Sequence, residues 1–165
     1  MPPALGAAAG DSIPAGTQER GRRAHPDAQL GCLLLNWDEP EHPQRLREIY
    51  DPPRLLYVRG DPGVLNHHST SMVGTRRPTP YGNQVTERLG RDLAERGLTI
   101  VSGMARGIDR ASHQRACQAS HGATIGVLGR GVDVIYPREN RKLFGEVEKR
   151  GALISEFPLG SHPAP

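Results

Sequence analysis

Two short turns carry the groups best suited to chemistry. Gly74-Thr75-Arg76 and Ser102-Gly103-Met104-Ala105-Arg106-Gly107 each set glycine, a hydroxyl and arginine where an apolar run gives way to a helix pattern. A helix start presents unpaired backbone N–H groups and the positive end of the helix dipole. Glycine lets such a backbone approach a ligand closely, and a guanidinium grips phosphate oxygens in pairs. The chemistry that suits these residues is anion binding, of phosphate above all. Neither turn is a Walker A loop, because no Gly-Lys-Ser/Thr follows. Gly126-Val127-Leu128-Gly129-Arg130-Gly131 lacks the spacing of a dinucleotide fingerprint.

The remaining candidates are weaker. Glu156 could serve as a general base, but spacing ties no nucleophile or second carboxylate to it, so a structural role is favoured. Asp109 and His113 stand four apart on a helix pattern and read as an ion pair or packing contact, since a metal would need further ligands. His67-His68 reads as solvated loop. Tyr57, Tyr81, Tyr136 and Phe157 could stack on bases, as binders of single strands require. Aromatic residues are only 4% of the chain, however, and Tyr57 reads as core. Tyr81 follows directly on the first arginine turn. No catalytic residue, metal ligand or cofactor is expected.

Charge supports the anion reading locally. The chain of 165 residues has a formal net charge of +3. From Gly74 to Arg115 there are eight arginines against four acids, a local excess of +4. Such a field attracts polyanions, although Arg88, Arg91 and Arg96 read as solvating a helix face. Cys32 and Cys117 lie too far apart in sequence for a disulfide framework or a zinc pattern. No secretory signal and no membrane span is visible, and a reducing cytoplasmic setting fits.

The elements that position these turns can be traced along the chain. Residues 1–36 read as an irregular or disordered segment, with Leu30–Leu35 either a strand or a helix turn. The domain is expected over 37–165. A short helix is expected near 42–50, ended by Asp51-Pro52-Pro53. Strands are expected at 55–60, 69–74, 98–101, 123–128 and 152–155. Thr79 and Pro80 make an N-cap and first-turn pair for a helix ended by Gly97. Its Val85, Leu89 and Leu93 are expected to turn inward. A second helix is expected from Gly107 to about Ser120, and a third around Leu143, Phe144 and Val147, stopped by Gly151. Alternating strands and helices predict parallel strands joined by right-handed crossovers. Ligands in such sheets sit beyond the strands' carboxyl ends. There the turns at Arg76, Arg106 and Arg130 would share one rim.

The motifs M-V-G-T-R-R-P-T-P-Y-G at 72–82, I-V-S-G-M-A-R-G-I-D-R-A-S-H at 100–113, T-I-G-V-L-G-R-G-V-D-V-I-Y-P-R-E-N at 124–140 and G-A-L-I-S-E-F-P-L-G at 151–160 together resemble the DNA-processing protein A family, also called Smf or DprA. The resemblance covers residues 38–163. It implies an α/β fold: a Rossmann-like parallel sheet with helices on both faces, here incomplete at the C-terminus. The implied function is binding and protecting single-stranded DNA and helping to load the RecA recombinase in natural transformation, without catalysis. By this resemblance Arg76 and Arg106 contact DNA phosphates, and Gly74, Thr75, Ser102, Gly103 and Gly107 shape the pocket. Two departures follow from the same comparison. The small helical domain that precedes the core in the family is replaced by an irregular segment. The core stops before its self-association surface, which counts against homodimerisation and leaves the strand at 152–155 an expected open edge. The alternatives are a nucleotide-binding or nucleotide-hydrolysing Rossmann-like enzyme with Glu156 as base, or an inactive truncated fragment.

Overall fold

The computed structural model describes residues 31–162; the expectation for the first 29 residues falls outside them. Six strands form one sheet: β1 (Cys32–Asn36), β2 (Leu55–Gly60), β3 (Ser69–Ser71), β4 (Thr99–Ser102), β5 (Thr124–Leu128) and β6 (Ala152–Ser155). Three α-helices connect the last four: α1 (Pro80–Glu95), α2 (Ile108–Gln118) and α3 (Arg141–Arg150). Of the apolar run expected as a strand or a helix turn, Cys32–Leu35 lies in β1, so the sheet begins at Cys32, ahead of position 37.

The strand order is β1-β2-β6-β5-β4-β3. β3, β4, β5 and β6 run parallel, in the expected βαβ manner. β2 runs antiparallel to β6, and β1 antiparallel to β2, so the α/β sheet is mixed. The reason is local. No helix lies between β2 and β3, only a 3-10 turn at Pro62–Asn66. Val64 and Leu65 in that turn are buried against Ile125, Ala152 and Ile154 as the chain crosses under the sheet to its far edge. β6 is therefore not the open edge expected for it: it pairs with β2 on one side and β5 on the other.

Alternation along the strands sorts the core into two faces. Ile100 packs with Ala94, Ala116 and Ala119 of α1, α2 and the turn after α2. Leu153 packs with Leu143, Phe144 and Val147 of α3, so all three α-helices share one face. The opposite face is covered by 3-10 turns instead of α-helices.

α1 departs from its expected orientation. Val85 and Leu89 are 36% and 47% exposed, while Thr86, Gly90 and Ala94 are the buried positions. A Cβ at Gly90 would stand 3.3 Å from the Ser112 carbonyl oxygen, so α1 and α2 approach through small residues. Val85 and Leu89 are displaced to the flank, while Leu93 is partly buried against Ala94, Ile100, Ala116 and Ala119, as expected. The start and end of α1 agree with the sequence: the Thr79 hydroxyl accepts from Gly82 N–H at 3.1 Å, and Pro80 opens the first turn.

Asp109 and His113 of α2 are both buried, without a bond between them. The His113 Nδ1 lies 2.7 Å from the Thr124 hydroxyl, which donates to the Ile100 carbonyl at 2.8 Å. The hydroxyl has a single proton, so Nδ1–H is the donor to it. Burial pushes the imidazole down to about 4 from its ordinary 6.5. Between these values the unfolded chain binds a proton that the folded protein refuses, so acid weakens the fold. Unfolding free energy is expected to drop by up to about 3 kcal/mol from this group as pH falls through that window. Denaturant unfolding at stepped pH checks this. A His113→Gln variant should show a flatter profile there, and an unaltered profile would remove His113 from the account.

Candidate nucleic-acid interface

The rim is built where the carboxyl ends of β3 and β4 meet the start of α2. Residues 72–79 leave β3, and residues 103–107 lead from β4 into α2. Three contacts join them. The Ser102 hydroxyl donates to the Met72 carbonyl at 2.6 Å. Ile108 N–H donates to the Thr75 carbonyl at 3.2 Å. Gly107, at φ +75°, lies so close that a Cβ there would stand 2.3 Å from the Thr75 oxygen. Gly74 faces the Ile108 side chain, where a Cβ would stand 2.7 Å from Cγ1. These glycines let two backbones cross in direct contact.

The same crossing substitutes for a helix cap. α2 starts after Gly107 without a side-chain cap, and the Thr75 carbonyl takes the Ile108 N–H in its place. The Thr75 hydroxyl accepts from Arg77 N–H at 3.1 Å and shapes its own turn. Gly103 lies beside the buried Asp109 carboxylate, whose Oδ2 accepts from Ala105 N–H at 3.4 Å. Six of the seven expected site residues thus fall on two touching loops, and Ser102 ends β4 beside them. The Ser102 hydroxyl donates its proton to the Met72 carbonyl, whereas the Thr75 hydroxyl accepts from Arg77 N–H and no internal acceptor takes its proton among the described residues.

The arginines are not equivalent. Arg76 is exposed, with no side-chain hydrogen bond or ion pair among the described residues. Arg106 is 60% exposed, and its Nε is 2.5 Å from Oε1 of Glu139. The hydrogen bond to Glu139 strengthens the guanidinium's hold on its proton and keeps the Glu139 carboxyl below the usual carboxylate range. Arg130, the third expected rim arginine, is buried. Its Nε donates to the Val134 carbonyl at 2.9 Å, its Nη2 donates to the Tyr136 carbonyl, and it lies over the Tyr136 and Phe144 rings. It clasps its own loop and does not offer a free fork to a ligand.

Sequence reasoning missed two residues of the site. Asn140 is buried, and its side-chain amide donates to the Met104 carbonyl at 3.0 Å. Met104 has φ +60°, a conformation that non-glycine residues seldom adopt. Its fully buried side chain and the Asn140 bond hold it there. Glu139, next to Asn140, supplies the carboxylate on Arg106. Both belong to Tyr136-Pro137-Arg138-Glu139-Asn140, which in the sequence reads as a lead-in to α3. Among the described residues no group of three His, Cys, Asp or Glu could hold a metal ion, and Glu156 is exposed.

A model of the family described as DNA recombination-mediator protein A matches residues 33–165. The chain belongs to this family. It is 42% identical to Protein Smf of Synechocystis over 142 residues, covering 82% of this chain and 35% of that protein. It is 43% identical to DNA processing protein DprA of Bacillus subtilis over 136 residues, covering 82% of this chain and 46% of that protein. Among solved structures it is similar to DprA of Streptococcus pneumoniae, with TM-score 0.73 and 35% identity over 79% of this chain and 46% of that one. It is also similar to DprA of Helicobacter pylori, with TM-score 0.70 and 34% identity over 79% of this chain and 59% of that one; that structure concerns the protein's single-stranded DNA binding mode. The chain thus spans less than half the length of the two sequence relatives. The mixed six-stranded α/β sheet of this chain matches the fold of the aligned parts of these DprA structures.

Asn140 makes the loop geometry testable. Asn140→Ala leaves the Met104 carbonyl without its partner, at a cost of about 1–3 kcal/mol for a buried polar group. Urea unfolding should show that loss. Wild-type stability in the variant would mean that the Met104 conformation holds without the bond.

Proposed function

We propose that this chain binds single-stranded DNA across the loop junction, with backbone phosphates held by Arg76 and Arg106. The observation that carries the reading is the crossing of Gly107 on the Thr75 carbonyl, which sets two arginine turns side by side at the start of α2. Membership of the DNA recombination-mediator protein A family supports the choice of DNA as the anion. So does the single-stranded DNA binding of the H. pylori relative. The loops are fixed by internal hydrogen bonds before any ligand arrives, which lowers the ordering cost of binding.

The wider role proposed is that of a non-enzymatic cytoplasmic protein that protects incoming single strands and assists RecA loading in natural transformation. Among the described residues no helix is long and apolar enough to cross a membrane. RecA loading and self-association are roles to test in the protein at the full length of its relatives, because this chain matches under half of those sequences.

Titration with an oligonucleotide and with a mononucleotide at two salt concentrations tests the binding reading. Oligonucleotide preference with a steep salt dependence is expected. Arg76→Ala and Arg106→Ala should each weaken binding roughly tenfold, since a charged hydrogen bond is lost. Each should also lower the log–log salt slope by about 0.7 for a single strand. Undiminished binding by the double variant would overturn the site. Tight mononucleotide binding with turnover would instead favour a nucleotide-processing enzyme using Glu156.

A further inference from the structure

We infer that Glu139 is a built-in competitor for the phosphate site: its carboxylate occupies Arg106 in the DNA-free protein and is displaced when a phosphodiester takes its place. The inference rests on the proposed binding of single-stranded DNA and adds a control on it.

Geometry supplies the first argument. Glu139 Oε1 sits 2.5 Å from Arg106 Nε, bridging two loops that are 33 residues apart in sequence. A guanidinium accepts carboxylate and phosphate oxygens in the same manner. The carboxylate therefore stands where a phosphate oxygen would stand. Arg76, by contrast, has no ion partner among the described residues. Among the described residues the rim holds two open cations on one loop, Arg76 and the exposed Arg77 beside it, and one masked cation, Arg106.

The second argument is that the pair is not needed to build the loop. Residues 103–107 are already held by Asn140 on the Met104 carbonyl, by Ser102 on the Met72 carbonyl and by Ile108 N–H on the Thr75 carbonyl. Glu139 is carried by the 3-10 turn Arg138–Asn140, which the buried Asn140 anchors. The carboxylate is thus delivered from a fixed neighbour to a fixed loop.

The third argument is accessibility. The Arg106 and Glu139 side chains are 60% and 44% exposed. Exposed ion pairs are screened by water and break at little cost. By comparison, the Arg59–Glu148 pair, at 22% and 31%, ties β2 to α3 from a more enclosed position. The Arg106 pair has the character of a latch. Arg110, one turn into α2, adds to the positive field that keeps Glu139 ionised, so the latch stays charged at neutral pH. A strand first caught on Arg76 would bring its next phosphates to Arg106 at high local concentration and displace the carboxylate.

The test is a double-mutant cycle on the full 165-residue chain, with anisotropy of a labelled oligothymidylate at fixed low salt as the readout. Glu139→Gln keeps the shape and removes the charge. It should tighten binding roughly two- to fivefold, the range that matches breaking an exposed ion pair. In the Arg106→Ala background the same change should leave affinity as it was. Weaker or equal binding by Glu139→Gln would overturn the inference and make Glu139 a residue that positions Arg106. Equal tightening in both backgrounds would also overturn it, leaving only long-range repulsion. If wild type and Glu139→Gln both fail to bind the oligonucleotide, the DNA-binding reading itself falls, and the latch with it. Thermal unfolding of each variant confirms that the fold is retained.

Discussion

The backbone of Gly107 lies against the Thr75 carbonyl with no room for a side chain between them, and the geometry of the rim follows from that contact. Only a residue without a Cβ can stand there at φ +75°. The crossing fixes where α2 begins, because the Thr75 carbonyl receives the Ile108 N–H that would otherwise be orphaned. It also decides which arginines are neighbours: Arg76 follows Thr75, and Arg106 precedes Gly107. Two cations distant in sequence become parts of one surface through a single backbone approach.

The loop from Gly103 to Gly107 is held from three sides. Ser102 ties it to the turn after β3, Asn140 ties it to the turn before α3, and the Met104 side chain is sunk in the core formed by α3, β5 and β6. Met104 occupies the left-handed region without being glycine. Such a conformation persists where the surroundings over-determine it, and here a buried side chain and a buried amide do so. Asn140 thus has two structural effects: the bond that holds the strained residue also fixes the loop bearing Arg106.

What was legible in the sequence was what is decided locally. The run from β4 to β6 was readable because those strands carry short apolar runs and the helices carry their own starts and stops, such as Thr79-Pro80, Gly97 and Gly151; β3 is only the polar Ser69–Ser71, and Met72-Val73 of the strand expected at 69–74 lies beyond it. The two arginine turns are marked locally in the same way; the structure brings six of the seven expected positions onto two touching loops, with Ser102 at the end of β4. The direction of β2 was not read from the alternation, since that is settled by a 3-10 turn crossing under the sheet to the far edge. The orientation of α1 was misread because Val85 and Leu89 outweigh Gly90 in a hydrophobic pattern, whereas close helix packing is decided by the smaller residue. Glu139 and Asn140 were missed because their partners are 33 and 36 residues away, and neither partner leaves a mark on local spacing.

The count of arginines also needs geometry before it becomes a field. Of the eight between Gly74 and Arg115, Arg88 and Arg91 pair with Asp92, Arg96 bonds the Asp92 carbonyl, and Arg115 pairs with Glu87 to join α2 to α1. Arg130, beyond that stretch, is buried in its own loop. The local excess of positive charge thus overstates what reaches the rim. Of the other four, Arg106 is paired with Glu139, while Arg76, Arg77 and Arg110 have no side-chain partner among the described residues. What the geometry adds to the count is placement: exposed arginines on the turn after β3, an arginine held under a carboxylate, and a rigid backbone crossing between them.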